Sequence, residues 1–264
     1  MKTKVVSLIL LSFVVFSCST VPITGRRQAH ILPESMMTNM SLTNYQEFLK
    51  TNQPVSTHDA NARLVQKVGQ KISAAVVRYM NANNYADRVA GFNWEFNLVN
   101  GKDVNAWCMP GGKVVVYSGL LPYSKDESGL AVVMGHEIAH AVAQHGNERM
   151  SQQLAIQAAG MSLDLFMQQK PQQTRDIFMA AFGAGTQLGE LAYSRSHESE
   201  ADKLGLVFMA MAGYDPARAI TFWDDMKTAG GAKPPVFLST HPSDDQRIRD
   251  IKAYIPQARK YAGK

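Results

Sequence analysis

The 264-residue sequence predicts an α+β fold that is mainly α, with a small β-sheet beside one apolar helix. Three observations lead there. Apolar residues recur at helical spacing over long stretches, among them Asp59 to Asn81 and Gly129 to Gly146. Alternating or β-branched runs are confined to the span from Asn93 to Tyr117. Hydrophobic residues make up 45% of the chain and charged residues 19%, the balance of a protein that buries a core.

In chain order, Lys2 and Lys4 precede an apolar run from Val5 to Phe16 that ends at Ser17-Cys18. A basic start and a short apolar stretch make residues 1–17 a signal peptide, too short for a comfortable membrane span. Ser17 followed by Cys18 resembles a bacterial lipoprotein cleavage site, so Cys18 is the expected lipidation site. A plain signal peptide with an incidental cysteine is the alternative. If Cys18 carries lipid, Cys108 is the only thiol left and no intrachain disulfide is expected. Cleavage also removes Lys2 and Lys4 from a formal charge of only +5, and the remaining basic residues are unclustered. That distribution argues against a nucleic-acid partner. Ser19, in place of an aspartate, predicts sorting to the outer membrane, facing the periplasm.

Residues 18–53 show no clear periodicity and are expected to be the lipid anchor and a tether, ending in a short helix around Thr43 to Thr51. Residues 54–264 form the expected main domain. Its first helix spans Asp59 to Asn81, with Leu64, Val65, Val68, Ile72 and Val76 on one face. Asn93 to Asn100 reads as a strand, and Val104 to Cys108, a Pro110-Gly111-Gly112 turn and Lys113 to Tyr117 read as a hairpin. That hairpin either covers the core or offers an edge where an extended peptide pairs beside a metal. Periodicity leaves both open.

Gly129 to Gly146 contains His136-Glu137-Ile138-Ala139-His140. Positions four apart share a helix face, so His136 and His140 can direct two imidazoles at one ion. Glu137, beside the first ligand, can hold a metal-activated water and take its proton. Ser124 with Glu127 reads as the capping box of this helix, and Gly146 as its stop. A core helix whose histidines bond carbonyls is the plainer alternative, but a buried carboxylate such as Glu137 requires a partner or a metal.

A third ligand is sought in Ser194 to Asp202, where His197, Glu198 and Glu200 are candidates. Glu198 is favoured because Asp202, four residues on, shares its face and can accept from the far nitrogen of a ligand histidine. Glu200 is expected to be solvated. Further on, Ser243 and Gln246 suggest a capping box, which places His241 just before a helix, as an oxyanion donor, a plug of the open metal position, or a surface turn. Met150 to Phe166 and Asp176 to Tyr193 read as Met-rich helices linked at Lys170-Pro171, and Asp215-Pro216 opens another helix with Ile220 and Trp223 inward.

Together these motifs resemble the membrane-associated zinc endopeptidases that include HtpX, the CAAX prenyl endopeptidases, BepA and LoiP. The resemblance runs from about Ala60 to Ile251. It rests on Asn105-Ala106, Pro110-Gly111-Gly112, Gly119-Leu120-Leu121, His136 to His140, Ser194-Arg195, Glu198 to Asp202 and Thr240-His241-Pro242. It implies a zincin, gluzincin-like domain binding one zinc through His136, His140 and Glu198, with Glu137 as base and His241 facing the metal. Asp202 and Arg195 would support the ligands, and Asn105, Ala106 and Trp107 would line the substrate cleft. Without the transmembrane helices of HtpX or the repeats of BepA, the expected architecture is a LoiP-like catalytic domain on a lipid anchor. The implied activity is endopeptidase action on misfolded or unassembled envelope proteins. The rival expectation is a chaperone or assembly lipoprotein that binds outer-membrane proteins and seldom uses its zinc. A zinc hydrolase of non-peptide bonds is the third option.

Overall fold

The structure is a computed structural model that describes residues 18–158, 162–182, 194–229 and 236–264. The expected signal peptide, and most of the helix expected over Asp176 to Tyr193, lie outside these residues. The α+β, mainly helical expectation holds.

A hairpin of β1 (Cys18–Thr20) and β2 (Arg27–Ala29) opens the described chain, followed by α1 (Glu34–Thr51). Helix α2 (Ala60–Ala82) begins where Asp59 accepts the amides of Asn61 and Ala62, and it buries Val65, Val68, Ile72, Val76 and Met80 at helical spacing. The sheet contains β3 (Glu95–Val99), β4 (Ala106–Met109) and β5 (Lys113–Tyr117). Its order is β3-β5-β4, with β5 central, parallel to β3 and antiparallel to β4. Gly111 and Gly112, at φ +78° and +79°, make the turn between β4 and β5 that L side chains resist.

After the short α3 (Leu121–Ser124) comes α4 (Glu127–Val142), every residue of which is buried from Gly129 onward. Then follow α5 (His145–Ala158), α6 (Leu163–Gln169), α7 (Pro171–Ala181), α8 (Arg195–Met211), α9 (Arg218–Ala229), α10 (Val236–Thr240) and α11 (Asp245–Arg259). Trp223 on α9 is buried, as expected, and Ile220 packs half-buried against the same core. Among the described residues, no helix is long and apolar enough to cross a membrane.

Alternation along β4 divides its side chains between two cores. Ala106 and Cys108 join the core of α2, α4 and α8, whereas Trp107 and Met109 join Met37, Tyr45, Met150 and Phe178 on the other side. Helices α4 and α8 approach closely where glycine meets glycine. A Cβ on Gly205 would lie 3.1 Å from the Gly135 carbonyl carbon and from the His136 nitrogen. This closeness lets the first turns of α8 reach the histidine face of α4.

Several local expectations are corrected. The cap of α4 is Asp126, which accepts the Gly129 amide, while Ser124 Oγ donates to the Leu121 carbonyl and Glu127 pairs with Lys67 and Lys71. Gly146 does not end the helix. The chain turns at Gln144, with φ +59°, and Gly146 sits inside α5 against the Phe182 ring. Likewise Asp244, not Ser243, caps α11 by accepting the Arg247 amide. One Met-rich helix expected over Met150 to Phe166 is divided between α5 and α6. Residues 18–53 are no loose tether either: α1 starts at Glu34 rather than Thr43, Ser41 Oγ donates to the Pro110 carbonyl, and Gln28 Nε2 donates to the Ala143 carbonyl.

Candidate metal centre

One turn apart on α4, the Nε2 atoms of His136 and His140 stand 3.0 Å from each other. Helix α8 adds Glu198, whose Oε1 is 3.3 Å from His140 Nε2 and whose Oε2 is 3.4 Å from His136 Nε2. At the end of α10, His241 brings Nδ1 to 2.9 Å from Glu198 Oε1 and 3.1 Å from His136 Nε2. All four residues are buried, and each offers a donor atom within 4.8 Å of the others. Ring nitrogens and a carboxylate crowded together in a buried site form an arrangement that fits a shared cation. The set therefore suits zinc, which takes nitrogen and oxygen donors.

Glu137, next to the first histidine, is buried, and its Oε1 makes no hydrogen bond; the nearest ring nitrogen, His241 Nε2, is 3.4 Å away. Burial pushes the Glu137 carboxyl up to about 8. Burial also opposes charge on His136, but Glu198 and Asp202 outweigh it and lift this imidazole to about 9. For Glu198 the cost of burial is overcome by His241, Arg247 and His136, which hold its carboxyl well below the usual range.

Behind the donors, Asp202 Oδ1 is 3.0 Å from His136 Nδ1. Arg247 grips Asp202 through Nε and Nη2, each at 2.8 Å, and reaches Glu198 Oε2 through Nη1 at 2.9 Å. Its guanidinium lies 3.5 Å over the Trp223 ring. A His136 that donates from Nδ1 keeps its Nε2 lone pair for a metal.

Comparison with known proteins agrees with this chemistry. The family model described as "Peptidase family M48" matches residues 63–255. The chain belongs to peptidase family M48. Metallopeptidases of this family use zinc. The mitochondrial metalloendopeptidase OMA1 of Schizosaccharomyces pombe is 33% identical over 90% of this chain and 66% of its own length. Human metalloendopeptidase OMA1 is 29% identical over 90% of this chain and 46% of its own length. The beta-barrel assembly-enhancing protease of Escherichia coli is 30% identical over 63% of this chain and 35% of its own length. The chain thus spans between about a third and two thirds of these relatives.

In this M48 domain, Arg195 is not among the supporting residues. Its side chain is 93% exposed, its ion-pair partner is Asp244 at 3.7 Å, and Arg247 holds the position behind Glu198 and Asp202. Arg247 escaped the sequence reading because nothing local ties it to α8. Glu200, expected in solvent, is buried and accepts from Thr24, Arg26 and His145. His197 lies against Glu148, away from the four-donor set.

The expected substrate strand is partly relocated. β4 is an edge of the sheet and packs beside α4. Asn105 is buried with Oδ1 accepting the Ala106 amide, and just before it the Val104 carbonyl accepts the Phe237 amide of α10. Trp107 faces away from α4 and is a core residue, edge-on to Tyr45 and Phe48. A cavity of about 110 Å³ lies on the α8–α11 side, lined by Asp202, Arg247, Leu206 and Tyr254. Glu137 does not line it, so it is not where a scissile carbonyl would meet the base.

Proposed function

We propose that this chain is a zinc-dependent endopeptidase of a bacterial cell envelope that cleaves misfolded or unassembled envelope proteins. His136, His140 and Glu198 hold the ion. The observation that carries the reading is Glu137 Oε1, buried and without a hydrogen bond, next to the convergent donors of His136, His140, Glu198 and His241. Bound zinc supplies an acidified water and a polarised peptide carbonyl. Glu137 accepts the proton of the attacking water and returns it to the departing amine, so that the amide bond breaks with no net change in the enzyme. Asp202 and Arg247 keep His136 and Glu198 turned inward. The edge of β4 at Asn105 and Ala106 pairs with an extended substrate, with Trp107 beneath as packing.

His241 supplies the fourth donor, the place that water and substrate need. It is proposed as the plug of a resting form, which must withdraw before it can serve as an oxyanion donor. Lipidation of Cys18 and an outer-membrane, periplasm-facing location are supported by the leader and by the similarity to the bacterial protease named for enhancing beta-barrel assembly.

The test is zinc content together with cleavage of an unfolded protein, for wild type and Glu137→Gln. One zinc in both and a loss of about 10²- to 10⁴-fold in turnover for the variant is expected. Near-normal cleavage by Glu137→Gln overturns the assignment of the base. The closed position of His241 favours one second reading, a chaperone that binds envelope clients. Zinc in both proteins, cleavage in neither and protection of a client from aggregation would support it.

A further inference from the structure

A second buried cluster lies behind His140. His145, Glu148 and His197 offer donor atoms within 4.8 Å of one another, a set that resembles another metal site. Its carboxylate already holds a cation. Arg26, from the β1–β2 hairpin, places Nη1 and Nη2 on the two oxygens of Glu148, at 3.0 and 2.7 Å, and Nε on Glu200 Oε2 at 2.6 Å. A planar fork that satisfies two carboxylates at once does what a divalent ion would do there.

The hydrogen bonds from this cation continue to the metal ligand. Glu200 accepts from Arg26 Nε, from Thr24 Oγ1 and from His145 Nε2 at 2.9 Å. A carboxylate that receives these donors assigns the His145 proton to Nε2. Its bare Nδ1 then accepts from His140 Nδ1, 2.8 Å away. With its proton on Nδ1, His140 keeps the Nε2 lone pair that faces His136 Nε2 at 3.0 Å.

We propose that the N-terminal hairpin is part of the zinc centre: Arg26, through Glu200 and His145, sets the tautomer and orientation of His140. Arg26, Glu200 and His145 are positioning residues, and their role rests on the reading of His140 as a ligand. His197 steadies Glu148 at 3.1 Å and stacks on His145 with ring centroids 4.5 Å apart. Arg26 is the solvent-facing member, with its side chain 30% exposed against 6% for Glu148 and 5% for Glu200. Undocking of the hairpin removes Arg26 from this chain of bonds, so the grip on zinc depends on a segment far in sequence from the α4 motif.

The experiment uses the whole chain, with zinc affinity read by chelator competition and the donor set read by the absorption spectrum of the cobalt-substituted protein. Arg26→Ala is expected to weaken zinc about tenfold and to shift the cobalt spectrum. Arg26→Lys should recover part of both, and Glu200→Gln, nearly isosteric, should change them in the same direction as Arg26→Ala if that variant folds poorly. Gln28→Ala removes a hairpin contact to the Ala143 carbonyl that is not in the relay, and should leave the cobalt spectrum unchanged. Wild-type affinity and spectrum in Arg26→Ala and in Glu200→Gln would overturn the proposal while wild type still binds one zinc. So would a second zinc bound by wild type, since that ion would have to displace Arg26. Absence of zinc from wild type would instead remove the metal reading itself.

Discussion

The two histidines of α4 reach the same state by different supports. His136 leans directly on Asp202, whose charge is balanced by Arg247 inside the core. His140 leans on another imidazole, His145, which passes the bond to Glu200 and on to Arg26 at the protein surface. The first support joins α4, α8 and α11. The second depends on a two-stranded hairpin. Both turn Nε2 toward the shared donor set, but the first is buried throughout, whereas the second ends at a half-exposed arginine on a hairpin that Val21 anchors in the core. The difference teaches that a metal site with near-symmetric ligands can have unequal dependence on the rest of the chain.

The largest break expected is Asp202→Ala. It removes the support of His136 and leaves Arg247 with Glu198 as its carboxylate partner, costing about 3 kcal/mol of stability and up to about 100-fold in zinc affinity. Denaturant unfolding and chelator competition measure both. If these losses are no greater than those of Arg26→Ala, the two supports are equivalent and the comparison fails.

A smaller effect is expected where the supports share a backbone. Glu198, Glu200 and Asp202 all ride on α8, which meets α4 at Gly135 and Gly205. Gly205→Ala should push the helices apart and cost about 1–3 kcal/mol. Its zinc affinity should fall whether or not Arg26 is present; an affinity equal to wild type would show that the glycine contact does not set ligand spacing.

The pH dependence separates the supports most finely. Without metal, Glu137 at about 8 and His136 at about 9 both carry protons at neutral pH, whereas burial holds His140 well below its usual value. Protonation therefore favours the metal-free form, and zinc binding releases protons. Zinc affinity should rise from pH 6 to 8 by about tenfold per pH unit for each proton released, about 1.4 kcal/mol. Asp202→Ala, which removes one group that raises His136, should flatten this slope; Arg26→Ala should leave it unchanged. Titrations at three pH values decide the matter, and a slope lost in Arg26→Ala would merge the two supports.

Much of the first support was readable from spacing. His136 and His140 are four apart, Glu198 and Asp202 are four apart, and on a helix that separation means one face. The strands were visible for the same reason, as alternation over a few residues. Arg247 was not, because its partner Asp202 is 45 positions earlier. His145 was hidden by its own neighbourhood: five residues from His140, it does not share the α4 face, and it comes beneath only because the chain turns at Gln144. The weakly periodic segment before Gln53 was expected to be a tether, since its contacts are with distant residues, Arg26 with Glu200 across 174 positions.

The sequence by itself determined the mainly helical class and the metal motif with a carboxylate beside its first histidine, since these depend on residue type and on separations of a few positions. Tertiary structure alone decided which charges stand behind the ligands. It put Arg247 where Arg195 was expected, buried Glu200, turned Trp107 into the core and brought His241 to the donors of His136 and Glu198. The physical reason is one of range. Helical periodicity acts over a turn, but a buried charge must be matched by whichever segment the packed fold brings to it.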